Sequence, residues 1–92
     1  MSRMQVVVAR LRNLRNNPPP PTLAAVVEDL IWAHTLPSDG VEHLTVLPFD
    51  EGLDLYVFLR PAPTSTTLNR TRALMQRARN PLSRHGLAMD LL

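Results

Sequence analysis

Three histidines, eight acids, ten arginines and four aromatic residues are the side chains in these 92 residues with the most chemistry to offer. Neither the spacing of His34, His43 and His85 nor the carboxylates near them suggests a metal centre, because no two sit at i, i+4 on a helix. With no cysteine, disulfides, thiolate metal sites and a cysteine nucleophile are excluded. Asp50-Glu51 is a carboxylate pair, yet it lies between two apolar segments where a turn selects such residues. General acid–base work would need a pocket around it. No catalytic triad, phosphate-cradling glycine loop or nucleotide motif is present. The expectation is a non-catalytic protein with no cofactor and no metal.

The arginines carry the other chemical signal. Every basic residue is arginine and none is lysine, which reads as G+C-rich coding rather than selection for forked donors. The signs are segregated. Residues 1–17 hold four arginines and residues 60–84 six, with no acid in either stretch. Glu28, Asp29, Asp39, Glu42, Asp50, Glu51 and Asp54 fill the space between. Such asymmetry fits an anionic partner, or basic ends that fold against the acidic middle. In the first case Arg10, Arg12, Arg15, Arg70, Arg72, Arg77 and Arg79 form a nucleic-acid-binding patch. In the second their aliphatic stems cover the rim of the core. The second reading is preferred, because the arginines of the second helix border its apolar stripe on two sides.

The elements that must position these residues centre on Val41 to Arg60. Two alternating segments flank a turn at Pro48 to Gly52, the pattern of a β-hairpin with one buried face. In the second arm Leu53, Leu55, Val57 and Leu59 share one face; Asp54, Tyr56, Phe58 and Arg60 share the other. Upstream, Met4 to Leu11 contains three consecutive valines and reads as a strand, although the same residues also fit a helical face. Pro18 to Pro21 breaks regular structure; the stretch formally matches a basic-flanked PxxP ligand, but a stiff connector explains it. Thr22 is placed as the N-cap of a helix reaching about Thr35. Its broad apolar face is expected to hold Leu23, Val26, Val27, Leu30, Ile31 and His34, with Ala25 and Trp32 on the opposite side beside Glu28 and Asp29. Pro61 and Pro63 end the hairpin. The Thr64 to Thr67 cluster caps a second helix to about Asn80, Pro81 and Gly86 frame a break, and Leu87 to Leu92 reads as a closing strand.

Strand, helix, strand, strand, helix, strand is the order of a ferredoxin-like fold. The expected architecture is α+β: a βαββαβ two-layer sandwich over residues 1–92, a four-stranded antiparallel sheet with both helices on one face. That leaves the other face open. Tyr56 and Phe58 would stand on it, beside Val7, His43 and Thr45, with Ala88 and Leu92 extending the patch. An apolar patch of that kind usually marks an interface.

RNA-recognition domains share this topology, but their third strand carries aromatics where Leu53 and Leu55 stand, and Asp54 would repel phosphate. Copper-chaperone-like domains need paired cysteines, and acylphosphatases need a glycine-rich cradle where this chain has Asn16-Asn17 and prolines. Amino-acid-binding regulatory domains of this topology have no strict motif and stay open. The reading is therefore a small accessory or regulatory interaction module, homodimeric through Tyr56, Phe58, Val7, His43 and Thr45, with Trp32 as an anchor for another protein. Nucleic-acid binding is the alternative, and a small-molecule binder or small enzyme at a dimer cleft is a further one. No apolar run of ~18 residues is present, so no membrane partner is expected and the cytoplasm is the default compartment.

Overall fold

Three successive valines open the first strand, as their β-branched side chains favour. The computed structural model describes residues 3–62 and 66–91. It runs β1 (Gln5–Asn13), α1 (Leu23–Ala33), a 3₁₀ turn (Pro37–Asp39), β2 (Val41–Phe49), β3 (Gly52–Leu59), α2 (Thr67–Arg84) and β4 (Leu87–Leu91). The strands lie in the order β2-β3-β1-β4, and each neighbouring pair is antiparallel. The architecture is α+β, an open four-stranded antiparallel sheet with two helices. Among the described residues no helix is long and apolar enough to cross a membrane.

The buried faces of sheet and helices merge into one cluster. β3 is the central contributor: Leu53, Leu55, Val57 and Leu59 are each no more than 2% exposed. Ala9 and Leu11 join from β1, Leu44 from β2 and Leu87 from β4. Val27 and Ile31 of α1 and Leu74, Met75, Ala78 and Leu82 of α2 cover them. Burying one such leucine, isoleucine or valine contributes about 1.5–3 kcal/mol, which is why period-two and period-3.6 patterns decide the layout.

Details of the hairpin differ from simple alternation. Phe49 stands opposite Gly52, so only Asp50 and Glu51 form the turn. Gly52 is needed for closeness, since a Cβ there would lie 1.9 Å from the Leu11 carbonyl oxygen. Between the pairs Val41↔Leu59 and His43↔Phe58 the register skips Glu42, a β-bulge. The bulge lets Val41 pack against the core while His43 keeps the opposite face. Pro48 lies within β2, where an edge strand tolerates its missing N–H.

Two helix boundaries need correction. Thr22 occupies the N-cap position of α1, but its side chain makes no capping hydrogen bond and its backbone is already helical. α2 does not stop at Asn80; it passes through Pro81 to Arg84. Leu82 is 1% exposed, and its burial holds the last turn in place despite the lost hydrogen bond at Pro81. At the other end Thr66 caps α2, its Oγ1 accepting from the Asn69 amide at 3.0 Å. Thr64 and Ser65 of the expected capping cluster, Pro63 and Leu92 lie outside the described residues.

Candidate functional site

The register of the sheet assigns its uncovered face. Directly opposed residues point the same way, so the buried pair Ala9↔Leu55, with Val7↔Val57 two residues along, sets one face, and Val6↔Phe58, Val8↔Tyr56 and Arg10↔Asp54 set the other. Val7 therefore packs toward the helices, and Val6 and Val8 take the place expected for it on the open face. From β2, His43 pairs with Phe58, Thr45 with Tyr56 and Leu47 with Asp54. Ala88 of β4 lies opposite Arg12 on the same face.

Tyr56 and Phe58 are each half-buried by their neighbours, while Val6 is 50% and Leu47 49% exposed. The His43 and Phe58 rings are tilted, with centroids 5.4 Å apart. Thr45 Oγ1 lies 3.1 Å from His43 Nε2, which fixes the imidazole over the sheet. Val6, Val8, Leu47, Phe49, Tyr56 and Phe58 thus make an apolar area that spans three strands.

One ion pair closes the lower end of this area. Arg10 Nε donates to Asp54 Oδ1 at 2.8 Å and Nη2 to Oδ2 at 3.1 Å, a bidentate fork. The guanidinium also lies 4.3 Å from the centroid of the Phe49 ring. The hydrogen bond from Arg10, and then its charge, hold the Asp54 carboxyl below the usual carboxylate range against the opposing effect of desolvation. The same bond raises the Arg10 guanidinium above its ordinary value. Next to it Arg12 Nε donates to Asp90 Oδ2 at 2.7 Å, with both side chains exposed. Arg10, Asp54, Arg12 and Asp90 are therefore closed into local pairs.

The structure does not gather the seven arginines into one patch. Arg10 and Arg12 belong to the sheet face. Arg70 is buried, its Nη1 donating to the Asp39 carbonyl at 3.0 Å and its Nη2 to the Arg60 carbonyl at 2.6 Å. Among the described residues its buried Nε has no partner. Arg77 forms an ion pair with Asp39 and donates through Nε to the His34 carbonyl at 3.1 Å. Arg15 donates to the Arg84 carbonyl at 2.9 Å. Arg72 and Arg79 remain exposed on the other flank of α2. Arg70 and Arg77 thus latch the 3₁₀ turn, a role that sequence spacing gave no means of finding.

Trp32 is 40% exposed on the solvent side of α1, whereas its neighbour Ile31 is fully buried. His34 is half-buried, its Nδ1 2.8 Å from the Leu30 carbonyl. Asp50 and Glu51 border a cleft of about 430 Å³ with Arg12, Arg15 and the loop 16–19. Both acids are exposed, and among the described residues no histidine, serine, threonine or tyrosine lines that cleft. Among the described residues no three histidine or acidic side chains are placed to share a metal ion.

Comparison with family models, with curated proteins and with solved structures finds no match to this chain. Its own geometry has to carry the functional reading. The strongest feature is the open face, where six apolar or aromatic side chains stand together beside the Arg10–Asp54 and Arg12–Asp90 pairs.

Proposed function

We propose that the chain is a non-catalytic interaction module of ferredoxin-like arrangement, serving an accessory or regulatory role and pairing with a second copy through its open sheet face. The strand order β2-β3-β1-β4, with one helix between β1 and β2 and one between β3 and β4, supports the ferredoxin-like reading. The continuous area of Val6, Val8, Leu47, Phe49, Tyr56 and Phe58 carries the dimer reading. Strands ~4.8 Å apart that rise ~3.3 Å per residue give four strands of about eight residues a face of about 500 Å². Two such faces bury about 1,000 Å² in total, enough for a specific though modest interface.

The paired charges support self-association in the same way. Arg10 and Asp54 enter the contact as a closed fork rather than as two ions to be desolvated separately, which lowers the cost of covering them. A two-fold contact also needs a self-complementary patch, and an apolar area bordered by the Arg10–Asp54 and Arg12–Asp90 pairs meets that need.

Light scattering at micromolar concentration tests this. The expected mass is twice the 10.3 kDa of one chain, and Tyr56→Glu with Phe58→Glu should return it to one. A wild-type monomer under those conditions overturns the dimer.

A further inference from the structure

The two edges of the sheet are built differently. β2 carries the Glu42 bulge and Pro48, devices that blunt an edge against further pairing. Among the described residues β4 (Leu87–Leu91) pairs with β1 on one side only, and it contains no proline, glycine or bulge. Its single charge, Asp90, is held by Arg12. A groove of about 520 Å³ lies between α2 and β4, lined by Gln76, Arg79, Leu82 and Ser83 of the helix and Leu87 and Met89 of the strand, with Arg12 and Leu14 closing its β1 side. Arg72 precedes Arg79 by two turns of helix and shares its flank. Both are exposed, and among the described residues neither makes a hydrogen bond or ion pair. The arginines of the opposite flank, Arg70 and Arg77, are committed to the 3₁₀ turn.

We propose that β4 and the Arg72–Arg79 flank of α2 receive an extended acidic peptide segment, added to the sheet as a fifth strand. The main chain of the segment bonds to the outward amides and carbonyls of β4, the general mode of strand addition. Alternate side chains of an added strand face α2. Glutamates at those positions lay their methylenes over Leu82 and Met89 and bring their carboxylates to Arg72 and Arg79. Charge selects this occupant over a second copy of the chain. Two-fold pairing of β4 with itself would set Arg72 and Arg79 of one copy against the same residues of the other, with no acid between them.

The test uses a fluorescein-labelled eight-residue peptide of alternating valine and glutamate and the full chain in 50 mM salt. To keep the open face out of the measurement, it is repeated with the Tyr56→Glu, Phe58→Glu variant, which should bind equally well. Saturable anisotropy is expected, together with slowed hydrogen exchange of β4 amides. Arg72→Glu with Arg79→Glu should weaken binding at least tenfold, and so should lysine in place of glutamate in the peptide. The same acidic peptide methylated at every backbone nitrogen keeps its charge and should not bind. Equal binding of the methylated peptide would mean charge attraction alone and overturn the proposal, as would binding that survives the arginine reversal. Protection of β4 that grows with protein concentration in the absence of peptide would assign the edge to a second copy and also overturn it.

Discussion

Replacing Asp39 by alanine should cost this small protein a large part of its stability, although Asp39 lies in the seven-residue connection between α1 and β2. The carboxylate is 4% exposed and accepts from two directions: the Leu36 amide at 2.7 Å and the Arg77 guanidinium. The first bond caps the 3₁₀ turn, and the second ties that turn to α2. Hydrogen bonds that involve a charged group contribute about 1.5–3 kcal/mol each. Arg77 is 31% exposed and regains water when its partner is removed, so its share is discounted. The sum is about 2–3 kcal/mol. At about 4–8 °C per kcal/mol for a chain of this size, the midpoint of thermal unfolding should fall by about 10–20 °C. Circular dichroism on Asp39→Ala measures it, with Asp29→Ala, an exposed acid on α1, as the control that stays within about 2–3 °C of wild type. Asp39→Asn keeps an acceptor for Leu36 and should recover roughly half of the loss. A fall of less than about 3 °C in Asp39→Ala would refute the latch.

Two further outcomes follow from burial and charge. Ile31→Ala should destabilise by about 2–5 kcal/mol because it empties a fully buried site, whereas the adjacent Trp32→Ala should stay within about 1 kcal/mol; urea unfolding of both variants checks this, and equal losses would contradict the orientation of α1. The Asp54 carboxyl is depressed by Arg10, so its contribution to stability is present above the unfolded carboxylate value of about 4 and is lost as acid takes the pH through the lower folded value. Carboxyl NMR should therefore place the Asp54 midpoint below the ordinary range and move it upward in Arg10→Met, and a midpoint in the ordinary range in the wild type would count against the fork.

Much of the layout could be read in the residues because its causes are local. The alternation of Leu53, Leu55, Val57 and Leu59, the proline stops and the helical spacing of Leu74, Ala78 and Leu82 each mark an element by its own period. The face of β1 could not be read from Val6, Val7 and Val8, since three adjacent valines fit either phase. Arg10 and Arg12 held the missing signal: two charged even-numbered positions put Val6 and Val8, not Val7, on the open side. The Glu42 bulge left no comparable mark, because it answers the need to bury both Val41 and Leu44. Arg70 and Arg77 were placed at the rim of a stripe, which is where they start. Their partners Asp39 and His34 lie more than thirty residues away, beyond the reach of any helical projection. The same distance hid the difference between the two α2 flanks, on which the acidic-peptide proposal depends.

The proposed contact of Tyr56 and Phe58 with a second copy of the chain can be observed by isotope-filtered NOE spectroscopy on a mixed labelled and unlabelled sample. Intermolecular contacts are expected from the rings of Tyr56 and Phe58 to the methyls of Val6, Val8 and Leu47, and none from α1 or α2. Intermolecular contacts confined to β4 or the helices, or none at millimolar concentration, would contradict it.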